Sequence, residues 1–429
     1  MKRSQKLGQI SFDLSIFLLA SAPVLSIIPI LISSIIGSLN RKDNFLSNKI
    51  NILFISAAIL MFINCIIKSH HNEFKNINYD NWIGLINWIP FFWIHWAIKP
   101  FLKNQKKRIR AVFFLICSTI PVLLSGFSQS IFNLHGPFKT FGGLIIWYQK
   151  DLGSVISSVF NNQNYAGAWL ALILPFSMFF ILKTKSNNFQ KIISLIITLS
   201  ICYLIVLTNS RGALTSIFIS LSILLKYLNY NQNIFLFLIF LCIFLLYFFS
   251  NNAQLFKEIL SYFIPEKLIN KLFITSSSTR IEIWKVAINL IKMNPIIGLG
   301  AGTFSIMYAN SGGIYNAQHT HNLFLQICYD YGIPSGFLIY ISFFIILFKS
   351  IKKIYLNKDQ GIYSKKNILN YACLNSLIIF LIIHSFDITY YDGRISYLFW
   401  IIFSSLVCIT DEQITPEAKR LNDIEGANF

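Results

Sequence analysis

Apolar runs of about 17 to 25 residues recur from one end of this chain to the other, and each can cross a hydrocarbon core roughly 30 Å thick. About eleven or twelve such runs can be counted. Inside lipid a backbone must satisfy its own hydrogen bonds, so runs of this length without the alternation of barrel strands have to become helices. The reading is therefore an all-α integral membrane protein, one polytopic domain over residues 1–429. Only 12% of the residues are charged, where a soluble domain carries about a quarter, and the mean hydropathy is +0.59.

The formal net charge of +19 would point to nucleic acid in a soluble protein. Here the Lys and Arg fall in alternate short loops, which is the signature of loops retained in the cytoplasm. One such loop holds Lys99, Lys103, Lys106, Lys107, Arg108 and Arg110, and another runs from Lys349 to Lys366. No nucleic-acid partner is expected. Seven scattered cysteines lack paired spacing and read as small hydrophobes. The N-terminus resembles a signal peptide, but its apolar run is long and Pro23 follows the only Ala-x-Ala, so an uncleaved first segment is expected.

The run from Ser11 to Leu39 is long for one span and short for two. As a single span it would place the N-terminus outside, against Lys2, Arg3 and Lys6, whereas two short helices broken near Pro23 reconcile charge and count. Further spans are expected at Ile50–Ile67, Trp82–Ile98, Ala111–Phe127, Ala166–Leu182, Ile192–Leu207, Ala213–Leu228, Ile234–Ser250, Leu323–Phe348, Ile368–Phe386 and Ile395–Ile409. Residues 128–162 read as a surface or re-entrant segment, residues 251–322 as a large polar loop, and residues 411–429 as a cytoplasmic tail. With the basic loops inside, every polar candidate falls on the outer face.

The chemistry concentrates in Thr275–Gly336. Arg280 follows Ser276-Ser277-Ser278-Thr279, which can cap a helix, and Ile281, Trp284, Ile288 and Ile291 repeat at helical spacing behind it. An anion there would offset the cost of a cation in a helix's first turn; a solvated arginine is the plainer alternative. Arg211 sits in a tight turn between two spans, where a guanidinium needs a partner or a water-filled cavity. It is either an anion ligand or an interfacial anchor. Gly298-Leu299-Gly300-Ala301-Gly302 follows no strand, so it reads as a tight turn beneath the site and not as a nucleotide loop. His319 and His321 precede an apolar run and are either a base with its neighbour or two interfacial histidines; Asp330 is the only nearby third ligand, so no metal is expected. His384 and Asp387, with Tyr390, Tyr391 and Arg394 beyond, close a span on the same face, and either line the cavity or satisfy one another.

Taken in order, Asn162-Gln163-Asn164, Ser210-Arg211-Gly212, Arg280 with Trp284, Asn294-Pro295 before Gly298-x-Gly300, and His321-Asn322-x-Phe324-Leu325-Gln326 leading to Asp330-x-Gly332 resemble the O-antigen ligase and polymerase superfamily of membrane glycosyltransferases. The likeness runs roughly from Phe160 to Trp400. It departs at Gln163, where Asn-Pro-Asn is usual, and at Asp330, where Glu is usual.

The resemblance implies a GT-C-like bundle with a large helical periplasmic loop in the bacterial inner membrane. It implies a donor glycan on a polyprenyl diphosphate and, as acceptor, lipid A core or a growing saccharide. Arg211 and Arg280 match the diphosphate-binding arginines and His321 the base of a single, inverting displacement that uses neither metal nor cofactor. His319, Asn322, Asn164, Gln326, His384 and Arg394 are expected to contact substrate. Two rival classes are a transporter or flippase of the lipid-linked glycan or of a small anion such as bicarbonate, and a structural envelope subunit. No repeat of the kind transporters carry is visible, and a structural role leaves the arginines and His321 without a task.

Overall fold

The computed structural model describes residues 2–41, 43–71, 77–153, 155–182, 187–227, 276–356 and 368–412. The expected span Ile234–Ser250, the loop residues Lys358, Lys365 and Lys366, residues 251–275 of the large loop and residues 413–429 of the tail lie outside them.

The described chain is helical apart from one small hairpin. In order it forms α1 (Lys2–Leu18), α2 (Pro23–Leu39), α3 (Lys49–His71), α4 (Ile77–Ile86), α5 (Ile89–Ala97), α6 (Gln105–Phe132), β1 (Phe138–Thr140), β2 (Ile145–Trp147), α7 (Gln163–Leu182), α8 (Asn188–Thr208) and α9 (Arg211–Tyr227). After the gap come α10 (Ser276–Met293), α11 (Phe304–Asn310), α12 (Leu323–Tyr331), α13 (Ile333–Ile351), α14 (Ile368–Phe386) and α15 (Gly393–Asp411). Among the described residues seven helices, α3, α6, α7, α8, α13, α14 and α15, are long and apolar enough to cross a membrane. This is an all-α membrane protein.

Local chemistry sets the helix ends. Pro23 opens α2, since a first-turn proline gives up no hydrogen bond there, and the Ser11–Leu39 run is accordingly two helices broken before Pro23. Asn104 caps α6, its side chain accepting from the Lys107 amide at 3.0 Å. Two expected single spans are broken instead. Trp82–Ile98 divides into α4 and α5, and into the break comes Tyr390, whose ring stacks on Trp88 at 4.2 Å and whose hydroxyl donates to the Asn87 carbonyl at 3.0 Å. The run from Leu323 divides at Gly332, where a positive φ of 87° and Pro334 in the next turn end α12 and start α13. The nine-residue α12 is too short to cross a membrane by itself. Residues 128–162 also differ in part from a surface segment: α6 runs on to Phe132, and β1 pairs antiparallel with β2, Phe138 opposite Trp147.

Helix α15 is buried almost throughout, and Trp400, Phe399 and Phe403 on it pack with Phe54 and Phe343 in an aromatic core. Its two ends differ in kind. At the C-terminal end Arg108 pairs with Glu412 at 2.7 Å and the Lys353 ammonium donates to the Thr410 carbonyl at 3.1 Å. That end gathers both basic segments. The N-terminal end carries Asp392 and Arg394, about 28 Å away at about 1.5 Å per residue, and there the polar candidates assemble.

Candidate active site

Four chain segments meet at the N-terminal end of α15. Helix α8 ends at Asn209, which takes a left-handed φ of 56° that suits asparagine. This turn delivers Arg211 to the first residue of α9. Helix α10 starts at Ser276, so the Ser276–Thr279 run expected to cap it lies inside its first turn and Arg280 follows as the fifth residue, close enough for its charge to act on that of Arg211. Both arginines line one small open cleft, together with Asn164, Ser210, Ile383, Phe386, Asp387 and Thr389. Two guanidinium groups facing one cleft repel each other, and an anion with several oxygens is the ligand that removes the conflict.

The 319–322 turn borders this cleft. Trp284, one turn beyond Arg280, donates its indole N–H to the Thr320 carbonyl at 2.9 Å, which ties the turn to α10. His321 adopts a left-handed φ of 53°, an uncommon conformation for a side chain of this size. Its amide donates to His319 Nδ1 at 3.2 Å, and its own Nδ1–H donates to Asp387 Oδ1 at 3.2 Å. A carboxylate only accepts, so this bond fixes the tautomer. His321 Nε2 keeps its lone pair, as a general base requires.

Electrostatics follow from burial and partners. Burial works to raise the Asp387 carboxyl, but the bond from His321, the electrostatic pull of the two neighbouring imidazoles, and the Ile388 amide at 2.8 Å outweigh it and hold it below its ordinary range. Asp387 stays an anion opposite His321. Burial pushes the His319 imidazole down to about 4, and His321 and Arg280 push the same way against Asp387. His319 stays neutral and able to accept.

The remaining candidates divide. Asn164 lines the cleft as expected. Asn322 is instead a cap, accepting from the Leu325 amide at 3.0 Å and donating to the Ser385 carbonyl at 3.1 Å. Gln326 is buried, with its oxygen accepting from the Thr320 amide at 3.0 Å and its nitrogen donating to Asp330 at 2.9 Å. His384 is fully buried, donating from Nδ1 to the Phe380 carbonyl at 2.9 Å and meeting the Thr389 hydroxyl at Nε2. Arg394 pairs with Asp392 and lies 3.9 Å over the Phe160 ring. Each of these four, expected to contact substrate, makes its bonds to neighbouring protein groups, and none of them lines the cleft. Asp387, read from the sequence as either lining the cavity or satisfying its neighbours there, lines the cleft and bonds to His321. Its one visible signal was a carboxylate directly after a span.

His319, His321 and Asp387 bring three potential donor atoms within 4.8 Å of one another. Nδ1 of each histidine serves the bonds above, and the two guanidinium groups that share the cleft with Asp387 oppose a cation there electrostatically.

No curated protein matches the chain. Residues 196–341, which contain Arg211, Arg280 and His321, match the family model described as O-Antigen ligase. Asp387 lies beyond the matched stretch. Over that stretch, about a third of its length, the chain is similar to the O-antigen ligase family, and its long apolar helices make it a multi-pass membrane protein.

Proposed function

We propose that this protein transfers a glycan from a polyprenyl diphosphate to an acceptor hydroxyl, at the outer face of the bacterial inner membrane. The observation that carries the reading is the convergence of Arg211, Arg280 and the His321–Asp387 pair on one cleft at the end of the bundle away from the basic loops. That end would be periplasmic, and residues 128–162 and 251–322 would face the same way.

In the reaction, His321 Nε2 takes the proton of the acceptor hydroxyl while its oxygen bonds to the anomeric carbon. The bond from that carbon to the diphosphate oxygen breaks on the opposite side, and the configuration inverts. Arg211 and Arg280 neutralise the departing diphosphate with planar donor forks. Asp387 holds the imidazole in the productive tautomer and balances the imidazolium as it forms. The guanidinium pair supplies the charge that a metal would otherwise bring, so a chelator should leave transfer intact.

The test is the glycan profile of a deletion strain complemented with wild type or His321→Ala. Accumulated lipid-linked glycan, cleared only by wild type, supports the reading. Long chains stranded on the polyprenyl carrier mark a ligase, and a single repeat on the lipid A core marks a polymerase. An unchanged profile on deletion would put transport of the lipid-linked glycan or of a small anion ahead.

A further inference from the structure

The carboxylate of Asp330 is buried in the loop-side half of the molecule, and the mechanism above gives it no task. Its environment is unusual. Oδ1 accepts from the Gln326 amide at 2.9 Å, and Oδ2 accepts from the Tyr391 hydroxyl at 3.3 Å. The far end of Gln326 accepts from the Thr320 amide at 3.0 Å, the residue between the two site histidines. Tyr391 belongs to the short loop that begins with Asp387. The two oxygens therefore reach, each through one side chain, the turn that carries His321 and the loop that carries Asp387.

The residue is itself anchored. Its backbone carbonyl accepts from the Gly300 amide and from the Asn64 side chain, both at 3.0 Å, so the glycine turn and α3 fix it from behind. The turn and the loop come from distant parts of the chain, with His321 and Asp387 66 residues apart. Asn322 supplies one further tie between turn and α14, to the Ser385 carbonyl.

We propose that Asp330 is a positioning residue for the transfer reaction: its two oxygens bridge Gln326 and Tyr391, and so hold His321 and Asp387 at bonding distance. The proposal rests on reading that pair as the base and its orienting carboxylate. Asp330 touches no substrate.

The test uses the full chain in lipid nanodiscs with ¹⁵N-histidine, following the His321 imidazole through a pH titration and assigning its signal by loss in His321→Gln. Asp330→Ala should lower the pH at which His321 titrates, toward the value in Asp387→Asn, because a loosened carboxylate no longer favours the imidazolium. Asp330→Asn, whose amide can accept from Gln326 and donate to Tyr391, should restore most of the shift. Tyr391→Phe and Gln326→Met each cut one arm and should move it part of the way; they carry the test if Asp330→Ala fails to fold. Arg211, Arg280, His319 and Asp387, the charged and titratable groups gathered around His321, are unaltered in these four substitutions.

In a transfer assay with a polyprenyl-diphosphate glycan, Asp330→Ala should lower kcat about tenfold, the equivalent of one lost buried hydrogen bond, with KM for the donor unchanged. Asp330→Asn should recover it. An Asn variant as impaired as the Ala variant, or a His321 titration unmoved in every variant, overturns the bridge. If the titration responds but the wild type transfers no glycan, the transferase reading fails and the bridge stands. If transfer proceeds and neither titration nor kcat moves, the bridge alone is wrong.

Discussion

At the scale of single residues, what distinguishes this site is that both basic side chains lining the cleft among the described residues are arginines. A guanidinium spreads its charge over a planar fork that matches two oxygens of a diphosphate, and an ammonium does not. Arg280→Lys should therefore lose most transfer activity although the charge is kept, and near-normal turnover would reduce Arg280 to an anchor. For the base, Asp387→Asn should cut kcat about a hundredfold, at the low end of what acid–base catalysis contributes, because an amide no longer enforces the tautomer. His319 gives a prediction about pH. In an open chain it takes a proton near 6.5, in the folded turn only near 4. Between those values the open form binds more protons, so the turn loses stability as pH falls through that window. Protonated Nδ1 also ceases to accept from the His321 amide. Hydrogen exchange across residues 316–326, corrected for its intrinsic pH dependence, should speed up between pH 6.5 and 4, and His319→Phe should flatten that response.

At the scale of elements, the site is carried by breaks in helices as much as by helices. The break at Gly332 separates α12 from α13, and the 298–302 turn packs against it, with the Leu299 and Gly300 amides donating to the Tyr329 and Asp330 carbonyls at 2.7 and 3.0 Å. Gly298 has φ of 81°, and a Cβ there would lie 2.5 Å from the Gly332 nitrogen and 2.7 Å from the Tyr329 oxygen. Gly298→Ala should cost about 1–3 kcal/mol from backbone strain alone, visible as a lower thermal unfolding midpoint, and it should weaken transfer by moving α12. The apolar runs made the long helices legible because length and hydropathy alone decide them. The breaks were not, because what fills the one at Asn87–Trp88 is Tyr390, some three hundred residues further on. The same limit explains the site. Arg211, Arg280 and His321 were readable as a set, whereas His384, Arg394, Asn322 and Gln326 were read as ligand contacts, because a polar residue beside a span looks alike whether it meets a substrate or a neighbouring backbone. Asp387 was under-read for the converse reason: its partner lies in another segment.

At the scale of the whole molecule, the fold turns a charge pattern into a direction. Both basic segments close on the C-terminal end of α15, through Arg108 and Lys353, and the arginine–histidine cleft sits at its N-terminal end, roughly one hydrocarbon thickness away. If the basic loops stay in the cytoplasm, as the bias in Lys and Arg demands, the cleft must open to the other side, where a lipid-linked glycan that has already crossed the membrane would meet its acceptor. Two exposed lysines make this checkable: Lys139 on β1 of the hairpin, and Lys106 in the first turn of α6. In a chain freed of its seven cysteines, a cysteine at position 139 should react with a membrane-impermeant maleimide in intact spheroplasts. One at position 106 should react only after permeabilisation. The reverse pattern would turn the cleft to the cytoplasm and remove the basis for a periplasmic transferase, whereas the expected one ties the positive end of the bundle to the cytoplasm and leaves Arg211 and Arg280, on the far side, free of any role in retaining loops.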